Sequence, residues 1–463
     1  MFSRAVSGFK IAISLCVLAT APVFAQNHQP VLMISVDGMR PDYVTDADAH
    51  HLKIPALRRI LAEGAHASGV NGVLPTVTYP SHTTLMTGVW PAEHGILNNG
   101  RFDPERTFNG AWYWYADAIK VPTLWSAAHA AGLHTASVSW PVTVDSTDID
   151  FDIPEYWRST GPGDANNPDD RFMMDAISRP DGELARITAR IHTPYMMGND
   201  TTLAGDEVRT LYSLDILKQH RPEFMTIHLS SLDEEEHLHG PFSEEANIDL
   251  EGIDAMIGQL VAQELANYPN AVIVIVSDHG FGPVEHAVNF AVPFLQAGLI
   301  QMSKGPAGNP IVTSWLAEPW GAGCVTPIIL HDPADAVTRE KVRALLQTLA
   351  ADPANGIESV LNHQQTIGLG GFPDADFLVT LKTGYCNGGA LTGALVTASP
   401  QKGAHGYNMA TTPAMRSSFF LFGQGIAAGK NLDLIDMRQI APTLAGILGV
   451  PLPSAKQKTL PVH

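Results

Sequence analysis

The sequence predicts an α/β fold with a largely parallel central sheet flanked by helices. Four short apolar runs have the character of strands buried on both faces. These runs are VLMISV (31–36), HTASVSW (134–140), FMTIHLS (224–230) and AVIVIVS (271–277). Helical patterns alternate with them, at residues 54–65, 121–132, 247–265 and 338–352. Strands that alternate with helices along one chain are typical of parallel sheets, because helices form the crossovers.

Two regions interrupt this alternation. Residues 145–205 are polar and rich in turn-forming residues, which predicts an excursion over one edge of the sheet. Residues 290–400, approximately, hold one helical pattern and several short strand-like runs, which predict a smaller inserted subdomain. We therefore expect one domain over residues 26–463 with these two additions.

The first 25 residues predict a secretory signal peptide cleaved after Ala25. Arg4 and Lys10 precede an apolar run at residues 11–18, which is shorter than the ~20 residues of a membrane span. An uncleaved anchor is the alternative. We expect an exported protein, periplasmic or secreted, with no membrane span after removal of the signal.

Composition restricts the class of ligand. The chain has 463 residues, 45% of them hydrophobic and 16% charged, which is typical of a globular protein. Its net charge of −19 argues against binding to a nucleic acid duplex, because the surface would repel the phosphate backbone. A small phosphorylated substrate, for example a nucleotide, remains compatible if a metal supplies local positive charge. Cys324 and Cys386 remain after signal removal, and the sequence leaves open whether they pair.

Acidic residues follow three of the four apolar runs. Asp37, Asp233 and Asp278 stand at or just beyond these strand ends, where parallel sheets form their ligand crevice. Any one of them suits an ordinary turn, but histidines accompany two of the three. In SLDEEEHLHGP, a helix would place His237 one turn after Asp233, with Glu234, Glu235 and Glu236 on a solvated face.

Three carboxylates and three imidazoles form the predicted ligand set. Its members are Asp37, Asp233, His237, Asp278, His279 and His405. Six ligands are too many for one tetrahedral zinc and suit two ions. Two metals about 4 Å apart suit in-line displacement at phosphorus. The residues alone therefore indicate a two-metal hydrolase acting on a phosphate ester or a related group.

The stretch LPTVTYPSHTT, residues 74–84, offers hydroxyl groups for nucleophilic attack. Pro80 reads as an early helical residue, which places Thr78 just outside a helix N-terminus. The helix dipole and a bound metal would both lower the pKa of a hydroxyl there. Thr76 and Ser81 are the alternatives.

Five motifs in order resemble the alkaline phosphatase superfamily, most closely its nucleotide pyrophosphatase/phosphodiesterase branch. They are VDGMRPDYV, PTVTYPSHTTLMTGVWPAEHGILNN, LDEEEHLHGP, VSDHGF and GAHGYN. The resemblance implies an alkaline-phosphatase-like fold and two zinc ions per chain, with other divalent first-row metals as substitutes. It also implies cleavage of phosphodiester or pyrophosphate bonds through a covalent phospho-threonine intermediate.

The same resemblance assigns roles to residues. Thr78 becomes the metal-bound nucleophile, Asn99 binds a non-bridging phosphoryl oxygen, and Tyr79 stacks on the substrate at the pocket rim. The ligands of one zinc are Asp37, Thr78, Asp278 and His279, and those of the other are Asp233, His237 and His405. Tyr156 and Arg158 lie in a stretch that resembles the variable substrate-binding region, although ordinary loop packing accounts for them equally well. Ser81 replaces a frequent Asn of the family and is expected to cap the helix instead.

Related activities are the main alternatives. A phosphate monoesterase of the same superfamily needs extra positive charge, which Arg158 or Lys120 would supply. A sulfatase is disfavoured because the chain lacks a Cys/Ser-x-Pro-x-Arg sequence around the nucleophile. An inactive binding protein would have lost a ligand or the nucleophile, and all seven positions are occupied.

Overall fold

The structure is a computed structural model that describes residues 28–105, 111–157, 170–195, 200–304 and 310–463. Its strands are β1 (Val31–Val36), β2 (Ala65–His66), β3 (Gly69–Asn71), β4 (Thr135–Val138), β5 (Phe151–Ile153), β6 (Phe224–Leu229), β7 (Val272–Val276), β8 (Gly282–Val288), β9 (Ile300–Lys304), β10 (Pro310–Trp315), β11 (Ala317–Pro319), β12 (Val325–Leu330), β13 (Ile357–Asn362), β14 (Phe377–Leu381), β15 (Gly384–Asn387), β16 (Val396–Ala398), β17 (Gly403–Ala404), β18 (Phe419–Gly423), β19 (Lys430–Asn431) and β20 (Leu434–Asp436). Its helices are α1 (Asp42–Thr45), α2 (Pro55–Glu63), α3 (Thr78–Thr87), α4 (Pro91–His94), α5 (Leu124–Ala130), α6 (Asp170–Ile177), α7 (Glu183–Ile191), α8 (Leu203–His220), α9 (Ser231–His239), α10 (Glu244–Asn267), α11 (Ala291–Gln296), α12 (Ala336–Ala351), α13 (His363–Ile367) and α14 (Ile440–Leu448).

The central sheet contains all four apolar runs of the sequence. Its strand order is β19-β2-β18-β7-β1-β6-β4-β5. β1 pairs in parallel with β6 and β7, and β4 pairs in parallel with β5 and β6, whereas β18 runs antiparallel to β7. The prediction of an α/β fold with a largely parallel sheet is confirmed.

Helices cover both faces of this sheet. Successive side chains of a strand point to opposite faces, so β1 contributes to two separate cores. Leu32 and Ile34 pack in one core with Ile253 of α10. Val31 and Met33 pack in the other, with residues of α3, α5 and α14. Burial on both faces explains why the strand reads as a continuous apolar run rather than an alternating one.

A second sheet lies within the region predicted as an insertion. Its four antiparallel strands have the order β11-β12-β14-β13, and α12 packs on it through Val342 and Leu346. A disulfide joins Cys324 to Cys386, which answers the question that the sequence left open. β15 pairs with β8, and β8 follows the end of β7 closely, so this region adjoins the carboxyl edge of the central sheet. The subdomain limits near 290 and 400 stay a prediction.

The region 145–205 is described in part. β5 forms one edge of the central sheet, and α6 and α7 follow it. Arg158 and the predicted signal peptide at residues 1–25 lie outside the described residues. Within the part of the chain that the structure describes, no helix is long and apolar enough to cross a membrane.

Candidate active site

Three neighbouring strands bring the predicted acidic residues to one edge of the sheet. Asp37 follows β1 directly, and Ser277 alone separates Asp278 from β7. Asp233 lies in the first turn of α9, which begins shortly after β6. Because β6, β1 and β7 are adjacent and parallel, their carboxyl ends meet.

The predicted ligands form two adjoining groups. Ligand atoms of Asp37, Asp278 and His279 lie within 4.8 Å of one another, and so do those of Asp233, His279 and His405. His279 belongs to both groups, and its ring stacks on that of His405 with 3.7 Å between ring centroids.

Distances between individual ligand atoms show how closely these residues approach one another. Nε2 of His279 lies 3.1 Å from Oδ2 of Asp278 and 3.4 Å from Oδ1 of Asp37. Oδ2 of Asp233 lies 3.4 Å from Nε2 of His237, and its Oδ1 lies 3.6 Å from Nε2 of His405. The structure therefore brings all six predicted carboxylates and imidazoles together.

Several atoms at this site are buried and lack a partner. Oδ1 of Asp37, Oδ1 of Asp233, Oδ2 of Asp278 and Nε2 of His279 make no hydrogen bond to any described residue. Buried polar atoms are normally satisfied, since an unpaired one costs about 1–3 kcal/mol. Cations placed among these atoms would satisfy them, so the donor set fits divalent metal ions.

Backbone carbonyls orient two of the histidines. Nδ1 of His237 donates to the carbonyl of Gly403 at 3.0 Å, and Nδ1 of His405 donates to that of Thr76 at 3.1 Å. The proton therefore resides on Nδ1 in each ring, and the unprotonated Nε2 faces the carboxylates. This is the arrangement in which histidine binds a metal.

Burial and crowding shift the ionisation of these groups. Burial, together with the nearby charge of Asp233, raises the pKa of Asp37 to about 7. Burial, reinforced by Asp278, also raises the pKa of Asp233. Burial lowers the pKa of His405 to about 3, with a further contribution from His237. The histidines are thus neutral and ready to bind, whereas metal binding must displace protons from the carboxyls.

A tight turn after β1 places Asp37 beside Asp278. Gly38 has φ +73°, and its N–H donates to Oδ1 of Asp278 at 3.3 Å. A Cβ at this position would lie 2.7 Å from Oε2 of Glu236, so only glycine fits. Glu236 itself is fully buried and accepts a hydrogen bond from Tyr43. The expectation that Glu236 belongs to a solvated face is wrong, because α9 turns this side chain toward the site.

Helix α3 carries the hydroxyl-rich stretch. The helix begins at Thr78 with Val77 as its N-cap, so Thr78 is the first helical residue rather than the residue just outside. His82 lies one turn further on and contacts the carbonyl of Thr78 and the hydroxyl of Ser35, both at 2.9 Å. Its Nδ1 also lies 3.6 Å from Oδ2 of Asp278. The first turn of α3 therefore adjoins the carboxylate group.

The two alternative hydroxyls are placed differently. The Thr76 hydroxyl donates to the carbonyl of Tyr407 at 3.0 Å, so it is already engaged in a structural contact. Ser81 is fully buried, and its Oγ has no partner among the described residues. The expectation that Ser81 caps the helix is wrong, because α3 begins three residues earlier and Ser81 lies inside it.

Asn99, in the loop after α4, lies beside Tyr79 at the start of α3. The backbone N–H of Tyr79 donates to Oδ1 of Asn99 at 2.8 Å. The Tyr79 ring is fully buried rather than at a pocket rim, and its hydroxyl donates to Glu155 at 3.1 Å. The half-buried rings of Trp112 and Trp157 extend outward from Tyr79. Trp112 packs on Tyr79 with 5.1 Å between ring centroids, and Trp157 packs on Trp112 with 4.7 Å between centroids.

Tyr156 is buried within the same aromatic group. Its ring packs on that of Trp114 with 5.0 Å between centroids, and 8% of the residue is exposed. Its role as a substrate contact stays a prediction.

Sequence reasoning missed two residues beside the site, His228 and Glu155. Nε2 of His228 lies 3.0 Å from Oδ2 of Asp37, and its Nδ1 lies 3.1 Å from Oε2 of Glu155. The sequence feature that could have pointed to His228 is the presence of a histidine in the otherwise apolar run FMTIHLS. Glu155 carried no signal, because it stands in a stretch without periodicity.

The start of α9 is held from another helix. Both oxygens of Asp206 in α8 accept hydrogen bonds from backbone N–H groups, those of Ser230 and Ser231. Arg209 balances this buried carboxylate through an ion pair at 2.5 Å. α9 carries Asp233, so this contact fixes the direction from which that carboxylate enters the site.

Comparison with known proteins gives a consistent result. Residues 31–365 match the family described as "Type I phosphodiesterase / nucleotide pyrophosphatase". Human ectonucleotide pyrophosphatase/phosphodiesterase family member 1 is 26% identical over 264 residues, which are 54% of this chain and 23% of that protein. A venom phosphodiesterase of Macrovipera lebetinus is 25% identical over 296 residues, which are 61% of this chain and 29% of that protein. The matched stretches thus span about a quarter of the length of these relatives.

Solved structures share the fold. Human ectonucleotide pyrophosphatase/phosphodiesterase 5 superposes with a TM-score of 0.62 at 19% identity, covering 93% of this chain and 97% of that one. The murine protein, solved as an inactive Thr-to-Ala variant in complex with AMP, gives a TM-score of 0.61 at 16% identity with the same coverage. At these identities the likeness supports the fold alone.

Proposed function

Because the chain belongs to the type I phosphodiesterase/nucleotide pyrophosphatase family, we propose that it is a two-zinc hydrolase of phosphodiester or pyrophosphate bonds. The observation that carries this proposal is the group of buried carboxylate and imidazole atoms without hydrogen-bond partners among the described residues. Their position at the carboxyl ends of β6, β1 and β7, beside the start of α3, gives the group a nucleophile within the same site.

Seven residues would hold the two ions. The proposed ligands of one are Asp37, Thr78, Asp278 and His279, and those of the other are Asp233, His237 and His405. When bound, the zinc ions would lower the pKa of the Thr78 hydroxyl and offset negative charge on the phosphoryl oxygens. His279 adjoins both ligand groups, which is consistent with two ions close together.

Thr78 is the proposed nucleophile. Its Oγ attacks phosphorus as the hydroxyl proton passes to solvent, the bond from phosphorus to the leaving oxygen breaks, and the leaving group departs as the first product. Water then attacks the phosphorus of the phospho-threonine, the bond from phosphorus to Oγ breaks, and a proton from that water restores the hydroxyl as the second product is released. The dipole of α3 favours negative charge on Thr78 Oγ. The inactive Thr-to-Ala variant of the murine relative supports a catalytic threonine.

Asn99 has an amide group available for the substrate. Its Oδ1 accepts the N–H of Tyr79, so the Nδ2 hydrogens are free of that contact and would donate to a non-bridging phosphoryl oxygen. Such a donor stabilises the charge that develops during displacement.

The surroundings favour a diester over a monoester. Trp112 and Trp157 are half-buried and extend from Tyr79 beside Asn99, so they offer an apolar wall for a second ester substituent. A nucleobase suits such a wall, since it stacks on aromatic rings. The AMP complex of the murine relative is consistent with a nucleotide substrate.

Hydrolysis rates and metal content test this function together. The purified, zinc-loaded chain is assayed on a bis-aryl phosphate, an aryl monophosphate and an aryl sulfate, and its metals are counted by mass spectrometry. We expect two zinc ions per chain and the fastest cleavage on the diester. Fewer than one metal per chain would overturn the two-zinc site, and faster cleavage of the monoester would identify a phosphatase instead.

Export is a separate part of the proposal. The predicted signal peptide and the venom phosphodiesterases among the relatives both support it. N-terminal sequencing of the protein recovered from the periplasm or medium should begin at Gln26, whereas retention of the first 25 residues in a membrane fraction would favour an anchor.

A further inference from the structure

One buried carboxylate connects the start of α3 to a proposed metal ligand. Oε1 of Glu155 accepts the hydroxyl of Tyr79 at 3.1 Å. Oε2 of Glu155 contacts Nδ1 of His228 at 3.1 Å, and Nε2 of His228 contacts Oδ2 of Asp37 at 3.0 Å. Tyr79 directly follows the proposed nucleophile, so the chain of contacts runs from the neighbour of Thr78 to Asp37.

The contacts of His228 require a proton on Nδ1. Nδ1 faces two acceptors, Oε2 of Glu155 and the carbonyl of Ser139 at 3.2 Å, and therefore carries a proton. Nε2 faces the carboxylate of Asp37. His228 is almost fully buried, and so is Glu155, of which 9% is exposed.

The network determines which oxygen of Asp37 is free. Oδ2 is engaged by His228, whereas Oδ1 has no partner within the described ranges and lies 3.4 Å from Nε2 of His279. Only Oδ1 is therefore oriented toward the proposed metal group. Hydrogen bonds to ligating carboxylates fix their orientation in this way.

Glu155 also restrains the start of α3. The hydroxyl of Tyr79 is held by Glu155, and its backbone N–H is held by Asn99, so both ends of this residue are fixed. Glu155 follows β5 closely and belongs to the segment predicted to lie on the substrate side. This segment is thereby coupled to the nucleophile and to Asp37.

We propose that Glu155 is a positioning residue that holds Asp37, through His228, and Thr78, through Tyr79, in one fixed arrangement. The inference rests on the proposed two-zinc function, because it assigns Glu155 an effect on the zinc ion that Asp37 binds. Glu155 hydrogen-bonds to Tyr79 and His228 rather than to a proposed ligand, so its effect through these contacts is indirect and falls on the ion that Asp37 and Thr78 would bind.

Zinc affinity at each site tests the inference without relying on turnover. Glu155→Gln keeps the size of the side chain and an acceptor for Tyr79. Its NH2 group would face the N–H at Nδ1 of His228, so two donors would meet and the hydrogen bond would be lost. We expect one of the two zinc affinities to fall by about 10–100-fold in chelator competition, with the other within about twofold of wild type. His228→Gln should weaken the same ion.

Two further variants make the test specific. Because Glu155 and His228 act along one path, the double variant should lose about as much affinity as the stronger single variant, not the product of both. Glu264→Gln is the matched control, since Glu264 is a buried glutamate of α10 that lies outside this network. It should leave both zinc affinities unchanged.

Two negative outcomes have different meanings. If the wild type binds two zinc ions and Glu155→Gln, folded by circular dichroism, binds both as tightly, the positioning role is overturned while the proposed function stands. The same conclusion follows if both ions weaken equally in Glu155→Gln and in the Glu264→Gln control. If the wild type binds no zinc, the proposed function fails and the inference fails with it.

Discussion

The backbone N–H of Tyr79 donates a hydrogen bond to Oδ1 of Asn99 across 2.8 Å. This bond joins the first turn of α3 to the loop after α4 and settles the orientation of the Asn99 amide. Oδ1 is the acceptor of a backbone donor, so Nδ2 is the group left to face a substrate. The carbonyl of Asn99 accepts the N–H of Tyr113, which fixes the same loop from its other side.

Loss of the Asn99 amide should reduce catalysis without removing the metals. We expect Asn99→Ala to lower kcat/KM for a bis-aryl phosphate by about 100-fold or more, the usual effect of losing one donor to a developing oxyanion. Asn99→Asp should be at least as impaired, because a carboxylate repels the phosphoryl oxygens. Both variants should still bind two zinc ions, and an activity within threefold of wild type would remove Asn99 from the proposed mechanism.

Threonines at the two ends of α3 should behave differently. Thr78→Ala removes the proposed nucleophile, and we expect a loss in kcat of roughly a thousandfold or more. Thr87→Ala at the last position of the helix removes a hydrogen bond to the carbonyl of Thr83 and a buried methyl group, and it should retain full activity. Steady-state assays on the diester compare the two, and full activity in Thr78→Ala would exclude it as the nucleophile.

The disulfide should contribute substantially to stability. Cys324 and Cys386 are 62 residues apart in sequence, and closing a loop of that length in the unfolded chain is worth about 4 kcal/mol. We expect the Cys324→Ala/Cys386→Ala variant to lose about this free energy of unfolding in urea titrations. A loss below 1 kcal/mol would show that other contacts hold the region.

The same disulfide lies close to the proposed metal site. Gly323, next to Cys324, packs so tightly on the His405–Gly406 backbone that an added Cβ would lie 2.6 Å from the carbonyl of His405. We therefore expect the double cysteine variant to bind zinc more weakly as well, which chelator competition on the folded protein measures.

Glu264 should make stability depend on pH. Burial raises the pKa of Glu264 from 4.5 to about 8, so the folded chain retains a proton that the unfolded chain releases. Its contribution to stability is therefore fully present below pH 4.5 and is lost as pH rises to about 8. The amide of Glu264→Gln mimics the protonated acid at every pH.

The variant and the wild type should therefore diverge as pH rises. At pH 9 we expect Glu264→Gln to be more stable by about 4–5 kcal/mol, because the pKa differs by 3.5 units, from 4.5 to about 8, and each unit corresponds to about 1.4 kcal/mol. At pH 5 the two proteins should be nearly equal. Melting temperatures at both pH values check this, and a constant difference between the proteins would contradict it.

The sequence predicted the features that arise from local pattern. Apolar runs identified the central strands, and acidic residues at their ends identified carboxylates that the structure brings together, because parallel strands bring their carboxyl ends together. The family resemblance is likewise confirmed.

The features that depend on packing were not predictable in this way. Tyr79 was expected at a pocket rim, but Trp112 covers it and Glu155 holds its hydroxyl. Glu236 was expected in solvent, but α9 directs it at Tyr43. Glu155 and His228 are 73 residues apart, and only tertiary structure brings them together.

The stereochemical course at phosphorus tests the central claim most directly. A diester made chiral by sulfur and oxygen-isotope substitution is hydrolysed in isotopically labelled water, and the configuration of the product is determined. Attack by Thr78 followed by attack by water consists of two in-line displacements, each of which inverts the configuration. We therefore expect overall retention, whereas inversion would show that water attacks the substrate directly and would contradict a phospho-threonine intermediate.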